Sequence, residues 1–195
     1  MQVIVLTDHS PESYVRTEAH RRIAAPLGCP GCRYTFRLPR HGYYPRRVSD
    51  LQEQMWVARF ICPRCGLTTS CLPSFCLPYR YVRVVTVAAF VAGEEQDGGV
   101  QRHWDLLRRY WKGFLWWWST LAQTVGLCFG PCIWKTARAF WDGMLALCGK
   151  LEWASHGLLW EFGMGVFFRY RVHGWARRSR SRQGISREAP RWESG

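Results

Sequence analysis

The chain contains Cys29-Pro30-Gly31-Cys32 and, after 29 intervening residues, Cys62-Pro63-Arg64-Cys65. A Cys-x-x-Cys turn places two thiolates on one side of a metal ion, and two such turns complete a tetrahedral shell of four sulfurs. The proline after each first cysteine presets the backbone angle at the start of the turn. Because both turns repeat the Cys-Pro-x-Cys pattern, we predict a zinc ribbon in which Cys29, Cys32, Cys62 and Cys65 hold one structural Zn²⁺.

Other uses of these cysteines stay open at the level of the sequence. A rubredoxin-like redox module would hold iron with the same four sulfurs, and two disulfides would also use all four. The chain has nine cysteines, an odd number, and its apolar start at residues 3–6 is too short for a secretory leader. We therefore expect a reducing, cytoplasmic compartment, where cysteine pairs more often bind metal than each other.

We expect an α+β fold in four parts. An N-terminal strand and short helix (1–24) precede a small zinc-ribbon β domain (25–78). A helical, helix-turn-helix-like domain (79–173) and a disordered basic tail (174–195) follow. So small a ribbon buries too little apolar surface to fold alone, which is why metal is expected to stabilise it.

Apolar spacing and helix breakers locate the elements. The expected strands span residues 3–6, Met55–Ile61 and 68–72, and the expected helices span residues 12–23, 79–92 and 100–113. For residues 79–92 the many β-branched side chains leave a strand as the alternative. A Gly-rich acidic loop separates the last two helices, and a helix, a turn and a basic helix in this order are compatible with a helix-turn-helix. Two more short helices are expected between residues 134 and 170, with breaks near Gly149 and Gly157.

The charge of the chain indicates an anionic partner. The sequence holds 27 Lys and Arg against 14 Asp and Glu, a net charge of +13, which favours nucleic acid or a membrane surface. Residues 33–47 interleave five Arg with four aromatic residues and contain no acid. Guanidinium groups pair with phosphates and rings stack on bases, so this segment suits DNA. The alternative is a solvated hairpin whose rings pack on the ribbon.

The residues expected to contact DNA phosphates are all basic and lie in the ribbon insert, the basic helix and the tail. They are Arg33, Arg37, Arg40, Arg46, Arg47, Arg102, Arg108, Arg109, Lys112, Arg177, Arg178, Arg180 and Arg182.

A membrane-associated protein with a cytoplasmic zinc ribbon is an alternative function. Residues 113–134 form a run of 22 residues without a charge, close to the about 20 apolar residues that a membrane-spanning helix needs. The run also contains Ser, Thr, Gln, Gly and Pro, and its three adjacent Trp residues suit an interface better than a bilayer centre. We therefore expect a buried helix in this run and no membrane partner.

Four segments carry a family resemblance. They read Cys29-Pro-x-Cys32, Arg40-His41-Gly42-x-Tyr44-x-Arg46, Arg59-Phe60-x-Cys62-x-x-Cys65-Gly66-x-Thr68-x-Ser70-x-Leu72-Pro73, and Pro78-Tyr79. This set resembles the N-terminal zinc-ribbon domain of bacterial transposase-associated proteins. In that group a helix-turn-helix with an Arg-Arg-x-Trp-like signature follows the ribbon, and Arg108-Arg109-Tyr110-Trp111 is similar to it.

The resemblance covers residues 25–125 and implies DNA recognition in insertion-sequence biology, beside a separate transposase or recombinase chain. It does not imply catalysis. A two-metal transposase site needs separated carboxylates on a rigid sheet, whereas residues 101–195 hold six acidic residues on segments expected to be helical or tail. The densest acidic group, Glu94, Glu95 and Asp97, lies in the Gly-rich loop, a poor platform for metal ions. We therefore expect a protein that is not an enzyme.

Overall fold

The computed structural model describes residues 1–129, 134–162 and 164–167. Within them a four-stranded sheet is followed along the chain by a group of helices, so the expected α+β class is confirmed. The strands are β1 (Gln2–Val5), β2 (Arg40–Arg46), β3 (Met55–Ile61) and β4 (Thr68–Pro73), in the sheet order β1-β4-β3-β2. The predicted basic tail, residues 174–195, lies outside the described residues.

Strands β2, β3 and β4 form an antiparallel meander that is packed on both faces. Successive side chains of a strand point to opposite faces, and β3 uses this alternation. Met55 and Val57 pack with Leu72 in one buried cluster, whereas Ala58 and Phe60 belong to a second cluster. The bounds of β3 agree with the prediction, and β4 extends one residue beyond it.

Strand β1 completes this sheet by pairing in parallel with β4. Val3 lies opposite Cys71, and the Ser70 N–H donates a hydrogen bond to the Met1 carbonyl oxygen at 2.8 Å. Residues 1–24 and 25–78, expected as successive parts of the chain, therefore share one sheet. Parallel pairing across so long a stretch of sequence has no local signature.

The segment between β1 and the ribbon contains two short helices where the sequence predicts one over residues 12–23. The α-helix α1 (Pro11–Arg16) begins at Ser10, whose side chain accepts a backbone hydrogen bond, as N-terminal caps do. A 3-10 helix, Ala19–Arg22, follows. The two are separated because Glu18 adopts a left-handed backbone with φ of 48°, which an α-helix cannot contain.

Helix α2 (Val84–Ala92) is shorter than the predicted helix over residues 79–92. The guanidinium of Arg46 donates hydrogen bonds to the carbonyl oxygens of Leu77 at 2.8 Å and Arg80 at 2.6 Å. These bonds hold the segment before α2 in a non-helical path. The prediction is therefore wrong for its first five residues, because a contact with the distant strand β2 outweighs local helix preference.

Helix α3 (Gly98–Phe129) is one 32-residue helix, kinked where His103 has a φ of −114°. The sequence predicts a basic helix over 100–113 and a separate buried helix after it. The two merge because Leu107, Phe114 and Leu121, which are fully buried, continue one apolar stripe along the helix. No described helix combines the length and apolar character needed to cross a membrane.

Helices α4 (Ala137–Cys148) and α5 (Leu151–Phe162) complete the helical group, in line with the two short helices predicted for this region. The chain turns between them at Gly149, as predicted, whereas Gly157 lies within α5. Gly113 of α3 does not end a helix either. A Cβ atom there would lie 3.2 Å from the carbonyl oxygen of Phe167, so glycine allows the segment that contains Phe167 to pack closely against α3.

Hydrogen bonds join the helical group to the sheet. The guanidinium of Arg80 donates to the Phe167 carbonyl oxygen at 3.0 Å and lies over the Tyr110 ring. On α5, the His156 imidazole donates from Nδ1 to the Ile4 carbonyl oxygen of β1 at 2.9 Å. The helices therefore pack against both the segment after β4 and the outer strand β1.

Candidate metal centre and basic surface

The two Cys-Pro-x-Cys segments fold into turns with the same backbone hydrogen bonds. In each turn the N–H of the first cysteine, Cys29 or Cys62, donates to the carbonyl oxygen five residues later, at 2.7 Å in the first turn and 2.9 Å in the second. The N–H four residues later donates back to the carbonyl oxygen of that cysteine, at 3.0 and 2.9 Å. The repeated sequence pattern thus produces two matching halves of one site.

The four sulfurs of these turns converge. Sγ of Cys29 lies 3.6 Å from Sγ of Cys65, Sγ of Cys32 lies 3.5 Å from Sγ of Cys62, and all four lie within 4.8 Å of one another. Zinc–sulfur bonds of about 2.3 Å correspond to sulfur–sulfur edges of about 3.8 Å in a regular tetrahedron. All four are free thiols. The predicted cluster is therefore confirmed, and its sulfurs could hold a metal ion.

Backbone dipoles in the turns oppose the effect of burial on the thiols. Burial raises the pKa of Cys29 to about 12, although backbone N–H groups two and three residues later point at its sulfur. At Cys62 burial acts in the same direction, but the corresponding N–H groups and the thiols of Cys32 and Cys29 outweigh it and lower the pKa to about 7. Thiolates are the form that binds metal, so these N–H groups prepare the site for a cation.

The cluster connects the two turns to the core of the sheet. Cys29 and Cys62 are buried and belong to the hydrophobic cluster that contains Phe60, whereas Cys65 is exposed. Cys71 of the same cluster is fully buried, and burial raises the pKa of its thiol to about 12. Cys71 is therefore a core thiol, while a metal ion at the four-cysteine site would have one side towards solvent.

The two turns differ at the residue that follows the second cysteine. Gly66 has a φ of 71°, and Arg33, at the matching position of the first turn, has a φ of 62°. Left-handed backbone costs little for glycine and more for a residue with a side chain. The second turn therefore uses the residue type that this conformation favours, and the first turn does not.

We expect Gly66→Ala to lower the free energy of unfolding by about 1 kcal/mol, because alanine is strained where φ is positive. A Cβ at Gly66 meets no atom within 4 Å, so the loss reports backbone conformation and not a clash. Gly98→Ala is the matched control, since a Cβ there also meets nothing and its φ is not positive. Urea unfolding of the zinc-loaded protein measures both variants, and equal effects would contradict this account.

Three of the arginines expected to contact DNA have partners within the protein. Arg40 donates to the Ile23 carbonyl oxygen at 2.9 Å and lies over the Phe60 ring. Arg46 holds the segment before α2, as described above, and Arg102 pairs with Asp50 at 2.7 Å. These side chains connect parts of the fold. The sequence did not predict these contacts, because their carbonyl and carboxylate partners lie far away along the chain.

Arg40 and Arg102 are nevertheless exposed, and so are six other predicted DNA contacts in the described part of the chain. The six are Arg33, Arg37, Arg47, Arg108, Arg109 and Lys112. The structure adds Arg64, which is exposed on the second metal-site turn and which the sequence analysis did not include. Its position between two cysteines was the available signal. The four predicted tail residues, Arg177, Arg178, Arg180 and Arg182, lie outside the described residues.

Comparisons with protein-family models, with curated proteins and with solved structures find no match for the chain. The resemblance to transposase-associated zinc ribbons therefore stays a prediction made from the sequence.

Proposed function

We propose that the protein is a zinc-ribbon DNA-binding protein without catalytic activity. Zn²⁺ bound by Cys29, Cys32, Cys62 and Cys65 would stabilise the sheet, and exposed arginines would contact DNA phosphates. The observation that carries the proposal is the convergence of four cysteine sulfurs within 4.8 Å, in two matching turns that carry the exposed residues Arg33 and Arg64. A structural metal in so small a module stabilises a surface for binding.

The charge of the sheet region supports an anionic partner. Residues 19–49 contain seven basic and no acidic residues, and residues 54–93 contain four basic and no acidic residues. Between these stretches lie Asp50, which is already paired with Arg102, and Glu53, which is exposed. The cations around the metal site therefore have few carboxylates nearby to neutralise them, and such a surface attracts phosphates.

Helix α3 offers a second group of cations. Arg108, Arg109 and Lys112 are exposed, and residues three and four apart lie on the same side of a helix. A turn at residues 93–97 connects α2 to this helix, an order compatible with a helix-turn-helix. We propose that this face of α3 contacts duplex DNA together with the ribbon, and that a separate transposase or recombinase chain carries out any strand chemistry.

An acidic residue of the turn before α3 caps that helix, a structural role that is consistent with a non-catalytic protein. Asp97 accepts a hydrogen bond from the Val100 N–H at 2.8 Å through its side chain, and so caps the N-terminus of α3. Glu94 and Glu95 are exposed beside it. We infer that these carboxylates stabilise and solvate the turn.

Replacing Arg108 and Arg109 together by Gln is expected to weaken duplex binding and to flatten its salt dependence. Each phosphate contact contributes about 0.9 to the slope of log affinity against log salt concentration on duplex DNA. Two lost contacts should therefore reduce the slope by about 1.8. Fluorescence anisotropy with a labelled duplex at several salt concentrations measures the slope.

The control is Lys150→Gln, which removes an exposed cation between α4 and α5 and should leave the slope unchanged. A double variant that keeps the full slope, or a control that loses as much, would contradict the assignment of α3 to the interface. No binding of the zinc-loaded protein to duplex DNA at low salt would contradict the proposed function itself.

A further inference from the structure

Resting on the proposed DNA binding, we propose that the Phe36 ring stacks on an unpaired base. The protein would then prefer a DNA duplex that carries a single-stranded segment over a fully paired one. The proposal concerns the loop of residues 33–37, which joins the first metal-site turn to the chain leading into β2.

Phe36 is an aromatic ring displayed to solvent. Its side chain is 67% exposed, compared with 45% for Trp56 and 40% for Tyr43, the other exposed large aromatic side chains of the sheet and its ribbon turns. Burying an aromatic ring stabilises a folded protein considerably. Because Phe36 is mostly exposed, its ring contributes little of this stabilisation. A ring that remains exposed on an ordered loop is available to a ligand with a flat apolar face.

The Phe36 ring packs against a second aromatic ring, that of Tyr34. The centroid of Tyr34 lies 5.3 Å from that of Phe36, with the planes inclined at 54°. Tyr34 is itself half-buried against the sheet cluster that contains Cys29 and Cys62. Phe36 is therefore backed by a ring that is packed on the metal-site core, which favours one orientation of its exposed face.

The loop is held at both ends by backbone hydrogen bonds. The Tyr34 carbonyl oxygen accepts from the Cys29 N–H at 2.7 Å, within the metal-site turn. On the other side, the Leu38 N–H donates to the Pro26 carbonyl oxygen at 3.1 Å, and the Leu38 side chain is buried. Little conformational entropy is then lost when a ligand stacks on the ring.

The charges around the ring select nucleic acid over an apolar protein partner. Arg33 and Arg37 flank the loop and are exposed, and Arg64 is exposed on the opposite metal-site turn. A base carries a flat ring next to a phosphate, and a site that combines an exposed ring with arginines matches that chemistry. Inside a duplex, neighbouring base pairs cover both faces of each base, so an unpaired base offers a free face that an internal base pair does not.

The test compares two labelled DNAs with the full-length, zinc-loaded protein: a blunt duplex, and the same duplex with a short single-stranded overhang. We expect the overhang to increase affinity by roughly 5- to 150-fold, the range that corresponds to stacking of one base on an aromatic side chain. Phe36→Ala should abolish this preference, and the variant should bind the blunt duplex with the same affinity as the wild type. 2-Aminopurine in the overhang should be quenched by the wild type and not by Phe36→Ala.

Matched variants separate stacking from apolar contact and from misfolding. Phe36→Leu keeps an apolar side chain without a ring and should lose the preference, whereas Phe36→Trp should keep it. Trp153→Ala removes a 45% exposed aromatic residue from α5, a helix that the proposed interface does not include, and should have no effect on the preference. Each variant must retain stoichiometric zinc, which shows that the metal-site turns are intact.

The outcomes distinguish this inference from the function on which it rests. Binding to the blunt duplex without any gain from the overhang, or an overhang preference that survives in Phe36→Ala, overturns the stacking proposal alone. Absence of binding to both DNAs overturns the proposed function and the inference with it.

Discussion

Cys62→Ser is expected to remove stoichiometric metal from the protein and to unfold the ribbon. The Cys62 sulfur lies 3.5 Å from that of Cys32 and is buried with the sheet cluster, so its loss opens the shell on the side of the core. Structural zinc contributes about 10–16 kcal/mol of apparent binding free energy in zinc-finger peptides. That amount is comparable to the whole free energy of unfolding of a typical domain, about 5–15 kcal/mol, so the ribbon should lose its fold when the ion is lost.

Elemental analysis of the purified proteins measures the metal, and far-UV circular dichroism measures the loss of structure. Cys71→Ser and Cys148→Ser are the controls, because neither cysteine belongs to the four-sulfur cluster, and both variants should keep stoichiometric zinc. Full zinc occupancy in Cys62→Ser would contradict the assignment. A red, iron-containing wild-type protein would favour the rubredoxin-like alternative over zinc.

Phe114→Ala is expected to lower the free energy of unfolding of the helical group by about 3–5 kcal/mol, as large-to-small changes of buried aromatic residues do. Phe114 is fully buried in α3. Its ring centroid lies 5.0 Å from that of Trp111, 5.3 Å from Trp141 and 6.2 Å from Phe140. Alanine would leave a cavity between α3 and α4 that these rigid rings cannot easily fill.

Trp116→Ala provides the control within the same helix. Trp116 is 76% exposed two residues away, and surface substitutions of this kind usually change stability by less than about 0.5 kcal/mol. Urea unfolding of the zinc-loaded proteins, followed by tryptophan fluorescence, measures both variants. Similar losses for Phe114→Ala and Trp116→Ala would contradict the packing described for α3.

Local sequence patterns were enough to predict the four-cysteine cluster and the strands β3 and β4. Each Cys-Pro-x-Cys segment forms its turn from hydrogen bonds within six residues, so the spacing of ligands along the chain decides the geometry. The same holds for the bounds of β3 (Met55–Ile61), which its alternating, β-prone residues predicted. That both faces of β3 are buried is a finding of the structure. The turn between α4 and α5 at Gly149 was also visible, because glycine commonly ends helices.

Contacts between residues far apart in the sequence decided the pairing of β1 and the start of α2. No short stretch of sequence indicates such contacts. The parallel pairing of β1 with β4 joins the start of the chain to the ribbon. Arg46 prevents residues before α2 from becoming helical by binding two of their carbonyl oxygens. An arginine is equally compatible with a DNA phosphate and a buried carbonyl oxygen, and only packing shows which one it meets.

The sequence by itself therefore determined which four sulfurs converge, because a metal-site turn is stabilised by hydrogen bonds and steric preferences of adjacent residues. Only the tertiary structure decided that the segment containing Phe167 packs closely against α3 at Gly113, since that approach joins residues far apart in the sequence. It also decided which basic residues are exposed. The exposure of a side chain depends on contacts between elements that are far apart in the sequence. The pattern of charges along the chain does not show which elements form those contacts.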